Sequence, residues 1–256
     1  MKLKNTKLNI LLLSLSIVFL AGCAMIDVPK VKQNETAAVV MIGVNKNLDM
    51  SEMGGGTAGS IQRLVDDESF DLSPMVGIVH NKVHEEFVEQ FPITFLPEEE
   101  VLYTEEYENF RAYDSKEADE RWIDNSTMLV PEDYQPFRHE SMSNNQREQL
   151  FEAVTDEVDI ITFVSVHYYM EDATPFWRFF TEEGVIRVSV NIRMMDRNGD
   201  TVARIAEAEE SEESIKMVGG VTIDPEKIED LSKAATEKAF QSVYKFTQEE
   251  LRDYEG

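Results

Sequence analysis

The chain has 256 residues, of which 42% are hydrophobic and 9% aromatic, so it is long and apolar enough to bury a core and is not disordered throughout. It carries 50 acidic and 24 basic residues, a net charge of −26. A surface of this sign repels phosphate groups, so we expect no nucleic-acid partner. The single cysteine excludes an internal disulfide bond.

The first 22 residues have the layout of a secretory signal peptide. Three lysines fall within residues 1–9, and residues 10–20 are apolar except for two serines. Eleven helical residues span about 16 Å, roughly half the hydrocarbon thickness of a bilayer. This run therefore predicts a signal segment and not a transmembrane helix.

The tetrapeptide Leu20-Ala21-Gly22-Cys23 follows directly and resembles the lipobox of bacterial lipoproteins. The resemblance covers the first 23 residues and implies cleavage before Cys23 and lipidation of its thiol, with palmitate-like chains anchoring the protein in a membrane of the cell envelope. Each buried methylene contributes about 0.8 kcal/mol, so two or three acyl chains would anchor it durably. Ala24 implies, by the same analogy, sorting to the outer membrane. The alternative is a secreted protein with an unmodified cysteine.

Three segments are predicted along the chain. Residues 1–22 are the signal peptide, residues 23–36 are the lipidated cysteine and a tether, and residues 37–256 form one acidic α/β domain. The tether is inferred because residues 24–36 are polar, contain Pro29 and show no periodicity.

The first half of the domain alternates strand and helix. The apolar run 37–44 predicts a strand buried on both faces, and 93–96 predicts a short second strand. Between them, Ser73 and Pro74 predict the N-cap and first position of a helix that ends before Pro92. Its predicted buried face is formed by residues three or four apart: Val76, Val79, Val83 and Phe87.

The second half predicts a helix over 144–154, a strand over 159–170 and a β-hairpin over 185–208 that turns at Asn198-Gly199. A terminal helix begins at Asp224 and Pro225. The buried stripe of that helix is predicted as Ile228, Leu231, Ala235, Ala239, Val243 and Phe246. These elements predict a single domain with helices packed on a mixed sheet, including the hairpin and the terminal helix.

This order of elements, with the strand 159–164 and the strand pair turning through 196–200, resembles the curli-secretion (CsgG-type) and penicillin-binding-protein-activator (LpoB-type) periplasmic lipoproteins. The resemblance spans residues 37–250 and implies an assembly or regulatory domain, not an enzyme. Membrane-inserted hairpins are not expected, because the long connections are too charged to face lipid.

Residues 97–143 form a long acidic stretch that contains several tyrosines. Loops of this length inside a compact domain are often functional. We predict that this stretch is the contact surface for an envelope protein or for peptidoglycan.

His80 and His84 lie four residues apart on the first predicted helix, close enough to share a metal ion. The third ligand would be Glu85 or His139. Asn81 follows His80, where a zinc protease has its glutamate. A metal-binding lipoprotein or an envelope hydrolase is the alternative function, and partly buried structural histidines are the alternative to a metal site.

Four further motifs have structural explanations. The G-x-G-x-x-G at 54–59 is too far from the preceding strand to hold a dinucleotide. Asp196, Asn198 and Asp200 resemble the start of a calcium loop but fit a hairpin turn. Ser242 and Lys245 match S-x-x-K but lie in the terminal helix without partner motifs. Aromatic residues that could stack on sugars or pack in the sheet are Tyr168, Tyr169, Phe176, Trp177, Phe179 and Phe180.

The sequence thus predicts a membrane-anchored envelope lipoprotein with a non-catalytic binding, scaffolding or assembly role in the periplasm. No residue is predicted to be catalytic, because the chain lacks G-x-S-x-G and its one cysteine is assigned to the anchor. No cofactor is predicted.

Overall fold

A computed structural model describes residues 25–33, 36–45, 48, 72–110, 128–136, 142–173, 183–216 and 225–252. Within these ranges the chain folds into a mixed α/β domain with a C-terminal helix, as predicted. The strands are β1 (Met25–Ile26), β2 (Thr36–Asn45), β3 (Thr94–Phe95), β4 (Met128–Leu129), β5 (Ile160–Asp172), β6 (Glu183–Asp196), β7 (Thr201–Glu210) and β8 (Ile215–Lys216). The helices are α1 (Val28–Gln33), α2 (Ser73–Asn81), α3 (Glu98–Leu102), α4 (Glu105–Asn109), α5 (Asn144–Val154) and α6 (Pro225–Arg252).

The eight described strands form one open sheet in the order β1-β7-β6-β5-β2-β3, with β4 also paired to β2 and β8 to β6. Strand β2 runs parallel to β3 and β5, whereas all other pairs are antiparallel. The apolar run in β2 is buried along its whole interior, as expected for a strand covered on both faces. The predicted mixed sheet and C-terminal hairpin are therefore confirmed.

Helix α6 covers one face of the sheet by packing on β6 and β7. Five of the six residues predicted for its stripe are buried, and Phe246 is half-buried. The predicted N-cap Asp224 lies outside the described residues. Across the contact with the sheet, the hydroxyl of Tyr168 in β5 lies 2.9 Å from Thr236 Oγ1. This pair fixes the helix against the sheet at a buried point.

The opposite face of the sheet is covered over only part of its length. The first five residues of β5 are all buried, but from Ser165 onward β5 alternates between buried and half-buried positions. Strand β6 alternates in the same way from Glu183 to Arg193. The half-buried positions of both strands share one face, because Ser165 pairs with Asn191 and His167 with Ser189.

Residues 25–33 differ from the tether that the sequence predicts. Strand β1 pairs with β7, and helix α1 buries Val28 and Val31 in the core. The backbone N–H of Asp27 also donates to the carbonyl of Val202 at 2.8 Å. The folded domain therefore includes this segment, which a six-residue helix with two apolar positions does not reveal by periodicity.

The predicted first helix is correct in place but differs at its start and end. Leu72 occupies the N-cap position and no side chain caps the helix, so the prediction that Ser73 is the cap is wrong. After Asn81 the helix widens into a π-helical turn (Lys82–Phe87) and ends in a 3₁₀ turn (Val88–Gln90). The buried stripe contains Val79, Val83 and Phe87 as predicted, but Met75 is buried in place of Val76, which is half-buried.

Among the residues that the structure describes, no helix is both long enough and apolar enough to cross a bilayer.

Candidate functional site

His80, His84 and Glu98 come together beside the first helix. His80 lies in the last turn of α2, His84 in the π-helical turn that follows, and Glu98 at the first position of α3. Within the described residues, these three are the one group of histidine, cysteine or acidic side chains whose donor atoms converge closely enough to hold a metal ion.

The Nε2 atoms of both histidines lie close to the same carboxylate oxygen of Glu98. His80 Nε2 lies 2.8 Å from Glu98 Oε1, and His84 Nε2 lies 3.4 Å from the same oxygen. The imidazole rings are 4.7 Å apart, centroid to centroid. The side chains of the three residues keep 27%, 22% and 29% of their surface exposed, in the order His80, His84, Glu98. The cluster is therefore partly shielded but open to small solutes.

Local sequence explains why both histidines face the same way. Residues four apart share a helix face, and the buried stripe beside that face fixes the rotation of the helix. That stripe consists of Met75, Val79, Val83 and Phe87, all fully buried. Pro97 precedes α3 and starts it at Glu98, which brings the carboxylate to the histidine face.

The protonation states within the cluster follow from burial and from the neighbouring groups. Burial lowers the pKa of His84, although the carboxylate of Glu98 opposes this. For Glu98, burial favours the neutral acid, but hydrogen bonds from His80 and Tyr134 and the charge of His84 outweigh it and hold the pKa below its usual value. Near neutral pH we expect a Glu98 carboxylate beside a neutral His84 imidazole.

Tyr134 closes the inner side of the cluster. It is buried, and its hydroxyl lies 2.8 Å from His84 Nε2. Burial raises the pKa of this phenol far above its ordinary value of 10.0, so it remains protonated and acts as a hydrogen-bond donor at neutral pH. Tyr134 therefore orients the imidazole of His84 and the carboxylate of Glu98.

The cluster forms part of the wall of a cavity of about 520 Å³. Helix α2 borders one side of this cavity, and α3 with the turn 129–133 borders the other. Its mouth is acidic, because Glu99, Glu132 and Asp133 line it beside Glu98.

Tyr103 and Asp133 meet at the edge of this cavity. The exposed hydroxyl of Tyr103 donates to Asp133 Oδ2 at 3.0 Å. Asp133 has a φ of 73°, a left-handed conformation that aspartate tolerates better than most residues. The turn thereby holds a carboxylate at the entrance.

The predicted contact stretch 97–143 contributes directly to the cavity, but its tyrosines differ in role. Tyr103 is 56% exposed, whereas Tyr107 and Tyr134 are buried and belong to the core. Residues 111–127 and 137–141, which include Tyr113, Trp122, Phe137 and the proposed ligand His139, lie outside the described residues.

Glu85, the other predicted third ligand, is exposed and does not belong to the cluster. It is adjacent to His84 in the chain, and successive helical residues point in different directions. Glu98, and not Glu85, is the third member of the cluster. The one sequence signal for Glu98 is its place in a glutamate run directly after Pro97, but such a run is typical of a solvated helix start.

The other motifs fall into structural roles or outside the described ranges. Cys23 and the glycine run at 54–59 lie outside them. Asp196 Oδ1 accepts hydrogen bonds from the backbone N–H groups of Asn198 at 3.0 Å and Asp200 at 2.9 Å, as in a hairpin turn. The hydroxyl of Ser242 in helix α6 donates a 2.7 Å hydrogen bond to the carboxylate of Glu209 in β7. Of the aromatic cluster, Tyr168 packs in the core and residues 174–182 are outside the described ranges.

A second cavity of about 550 Å³ lies on the partly covered sheet face. Its lining is polar and includes Ser165, His167, Asn191, Arg193 and Arg204. Arg193 in β6 pairs directly with Arg204 in β7. Neither this polar face nor the meeting of two arginines there was predicted from the sequence.

No protein-family model matches the chain, and no curated protein matches it. Among solved structures, the chain is similar to the hypothetical protein CT253 from Chlamydia trachomatis, with 7% identity and a TM-score of 0.37 over 86% of this chain and 97% of that one. It is also similar to lipoprotein GNA1162 from Neisseria meningitidis, with 12% identity and a TM-score of 0.29 over 80% of this chain and 96% of that one. These values do not establish a family.

Proposed function

We propose that the chain is a bacterial envelope lipoprotein, anchored through acyl chains on Cys23, whose α/β domain acts by binding a partner and not by catalysis. The signal segment and the tetrapeptide that ends in Cys23 support the anchor. Ala24 supports an outer-membrane location with the domain facing the periplasm. The partner is an envelope protein or peptidoglycan.

The cavity between α2 and α3 carries the proposal for partner binding. Its volume of about 520 Å³ falls in the range of ligand sites, roughly 300–1,000 Å³. Its wall includes Tyr103, which is exposed although it is large and apolar. Exposed aromatic side chains of this kind are common anchors in interfaces. The surrounding carboxylates favour a partner that presents cationic groups.

Crosslinking in intact cells tests this role. Tyr103 is replaced by a photoreactive phenylalanine analogue, and the adducts are compared with those from Glu237, an exposed position on α6. We expect one adduct of defined mass from position 103 only. Charge reversal at the cavity mouth with Glu132→Lys should reduce its yield severalfold, because it removes the attraction for a cationic partner.

Equal adducts from both positions, or an adduct at position 103 that is indifferent to Glu132→Lys, would contradict the proposal. Deletion of residues 97–143 is a poorer test, because it also removes the buried side chains of Val101, Leu102 and Tyr107.

A second candidate is a metal-binding lipoprotein or an envelope hydrolase that uses His80 and His84. The convergence of both histidines on Glu98 favours metal binding. The same geometry supports a hydrolase less well. In zinc proteases a glutamate base directly follows the first histidine, and here that position is Asn81.

A further inference from the structure

We propose that His80, His84 and Glu98 form a Zn²⁺ site that keeps an open coordination position toward the cavity between α2 and α3. The ligand set would be the Nε2 atoms of the two histidines and one carboxylate oxygen of Glu98. This inference rests on the second candidate function given above, metal binding, and its zinc titration is separate from the crosslinking that tests partner binding and from any test of the anchor.

The spacing of the donor atoms fits a tetrahedral ion. Zinc binds imidazole nitrogen and carboxylate oxygen at about 2.0–2.2 Å, which places neighbouring ligand atoms about 3.3 Å apart. The two distances from Glu98 Oε1, 2.8 Å to His80 Nε2 and 3.4 Å to His84 Nε2, bracket this value. All three donor atoms lie within 4.8 Å of one another. Small side-chain rotations would therefore suffice to bind the ion.

The donor chemistry favours a transition metal over calcium or magnesium. Two imidazoles and one carboxylate suit Zn²⁺, whereas Mg²⁺ and Ca²⁺ prefer sites made of oxygen ligands. Two histidines and a glutamate also form one of the known ligand sets of zinc sites that leave a position for water or substrate.

The surroundings supply outer-shell contacts and an access path. His80 Nδ1 lies 3.4 Å from Asn81 Oδ1, on the side of the ring away from the site. Tyr134 lies against His84, and its hydroxyl can turn to Glu98 when the ion takes the ring nitrogen. The Asn81 contact is of the outer-shell type that orients metal-binding imidazoles, whereas the Tyr134 hydroxyl contacts the nitrogen that the ion would take. His80 and Glu98 both line the cavity, so an ion or a water can reach them from solvent.

The ligands belong to two separate elements, so an ion would connect α2 with α3. A ligand that binds only the folded state stabilises it by mass action. Zinc should therefore raise the melting temperature of the protein, and the increase should depend on all three ligand side chains.

The test measures binding of Zn²⁺ to the full chain in detergent, after metal is removed with a chelator. Titration calorimetry should give one ion per chain. Co²⁺ should give the strong visible absorption of a tetrahedral nitrogen and oxygen site. His84→Ala and Glu98→Gln should each lower the zinc affinity by about tenfold or more and remove the rise in melting temperature.

Two matched variants control for general effects. Glu85→Gln removes an exposed carboxylate next to His84, and His167→Ala removes a histidine that lines the second cavity and not the cluster, so both should bind zinc as the parent does. Mg²⁺ should not compete for the site, although the acidic surface attracts it. If His84→Ala does not fold, Glu98→Gln decides, because it keeps the size of the side chain.

The proposal is wrong if the parent chain binds no zinc, or if His84→Ala and Glu98→Gln bind it as tightly as the parent. Equal losses in Glu85→Gln or His167→Ala would also overturn it, because they would show diffuse binding to the acidic surface. In either case His80, His84 and Glu98 form only a cluster of polar contacts between the first helix and α3.

Discussion

The hydroxyl of Tyr107 in α4 donates a 2.7 Å hydrogen bond to the backbone carbonyl of Val40 in β2. Val40 lies at an irregularity in the sheet, where its neighbours Val39 and Met41 pair with the consecutive residues Thr162 and Phe163. An extra residue of this kind disturbs the strand ladder. The tyrosine therefore supplies a partner for a carbonyl at the bulge and connects α4 to β2.

Tyr107→Phe should lower the free energy of unfolding by about 1–3 kcal/mol, because it leaves a buried carbonyl without this donor. Chemical denaturation measures the change. Tyr103→Phe is the control, since it removes an exposed hydroxyl from the same segment and should cost less than about 0.5 kcal/mol. Equal values for the two variants would show that the buried hydrogen bond contributes nothing specific.

Two buried threonines of α6 allow a matched comparison. Thr236 and Thr247 both donate to the carbonyl four residues earlier, but only Thr236 also lies against the hydroxyl of Tyr168. Thr236→Val should therefore destabilise the protein by about 1 kcal/mol more than Thr247→Val. A smaller or reversed difference in denaturation midpoints would contradict the role of this pair in fixing α6.

Two glycines should respond in opposite directions to alanine. Gly77 lies within α2, and a Cβ there would meet no atom within 4 Å, so Gly77→Ala should stabilise the protein by about 0.5–1 kcal/mol. Gly199 has a φ of 81° in the β6–β7 turn, so Gly199→Ala should destabilise it by about 1–2 kcal/mol. Thermal unfolding of both variants tests the prediction, which is wrong if the two melting temperatures shift in the same direction.

Buried tyrosines should limit stability at alkaline pH. Burial raises the pKa values of Tyr107, Tyr134 and Tyr168 well above the ordinary 10.0. Below pH 10 these groups are protonated in both the folded and the unfolded chain, so their contribution to the free energy of unfolding does not change with pH. Above pH 10 the unfolded chain releases these protons and the folded chain does not, so stability falls as pH rises, by up to about 1.4 kcal/mol per group and pH unit.

The measurement is the tyrosinate absorbance of the native protein as pH rises. Four of the eight tyrosines should remain un-ionised until the chain unfolds: the buried Tyr107, Tyr134 and Tyr168, and the half-buried Tyr244, whose pKa burial also raises. In urea all eight should ionise together near pH 10. Ionisation of all tyrosines near pH 10 while the protein is still folded would contradict the burial described above.

The sequence predicted the elements whose patterns are long and regular. Helix α5 spans Asn144–Val154 as predicted, because Ser143 and Gln146 cap it locally in a capping box. Strand β2 was predictable from a short, continuous and β-branched apolar run, and helix α6 from apolar residues three or four positions apart. The segment 25–33 was not, because its two strand residues and six helical residues are too few to establish a period.

The site could be predicted only in part, for a similar reason. His80 and His84 are adjacent on a helix, so their spacing in the sequence reports their proximity. Glu98 joins them because α2 and α3 both pack on β2, and nothing in the local sequence distinguishes it from Glu99 and Glu100. The third ligand therefore depends on tertiary contacts, which the sequence positions of Glu85 and His139 do not report.

The acyl anchor on Cys23 is the central claim of the proposed function, and metabolic labelling tests it most directly. Cells that express the parent chain or Cys23→Ser are grown with labelled palmitate, and the purified proteins and the membrane fractions are compared. We predict that the parent chain carries the label and stays with the envelope until detergent is added, whereas Cys23→Ser is unlabelled. A parent chain without label that leaves the envelope in buffer alone would contradict the account.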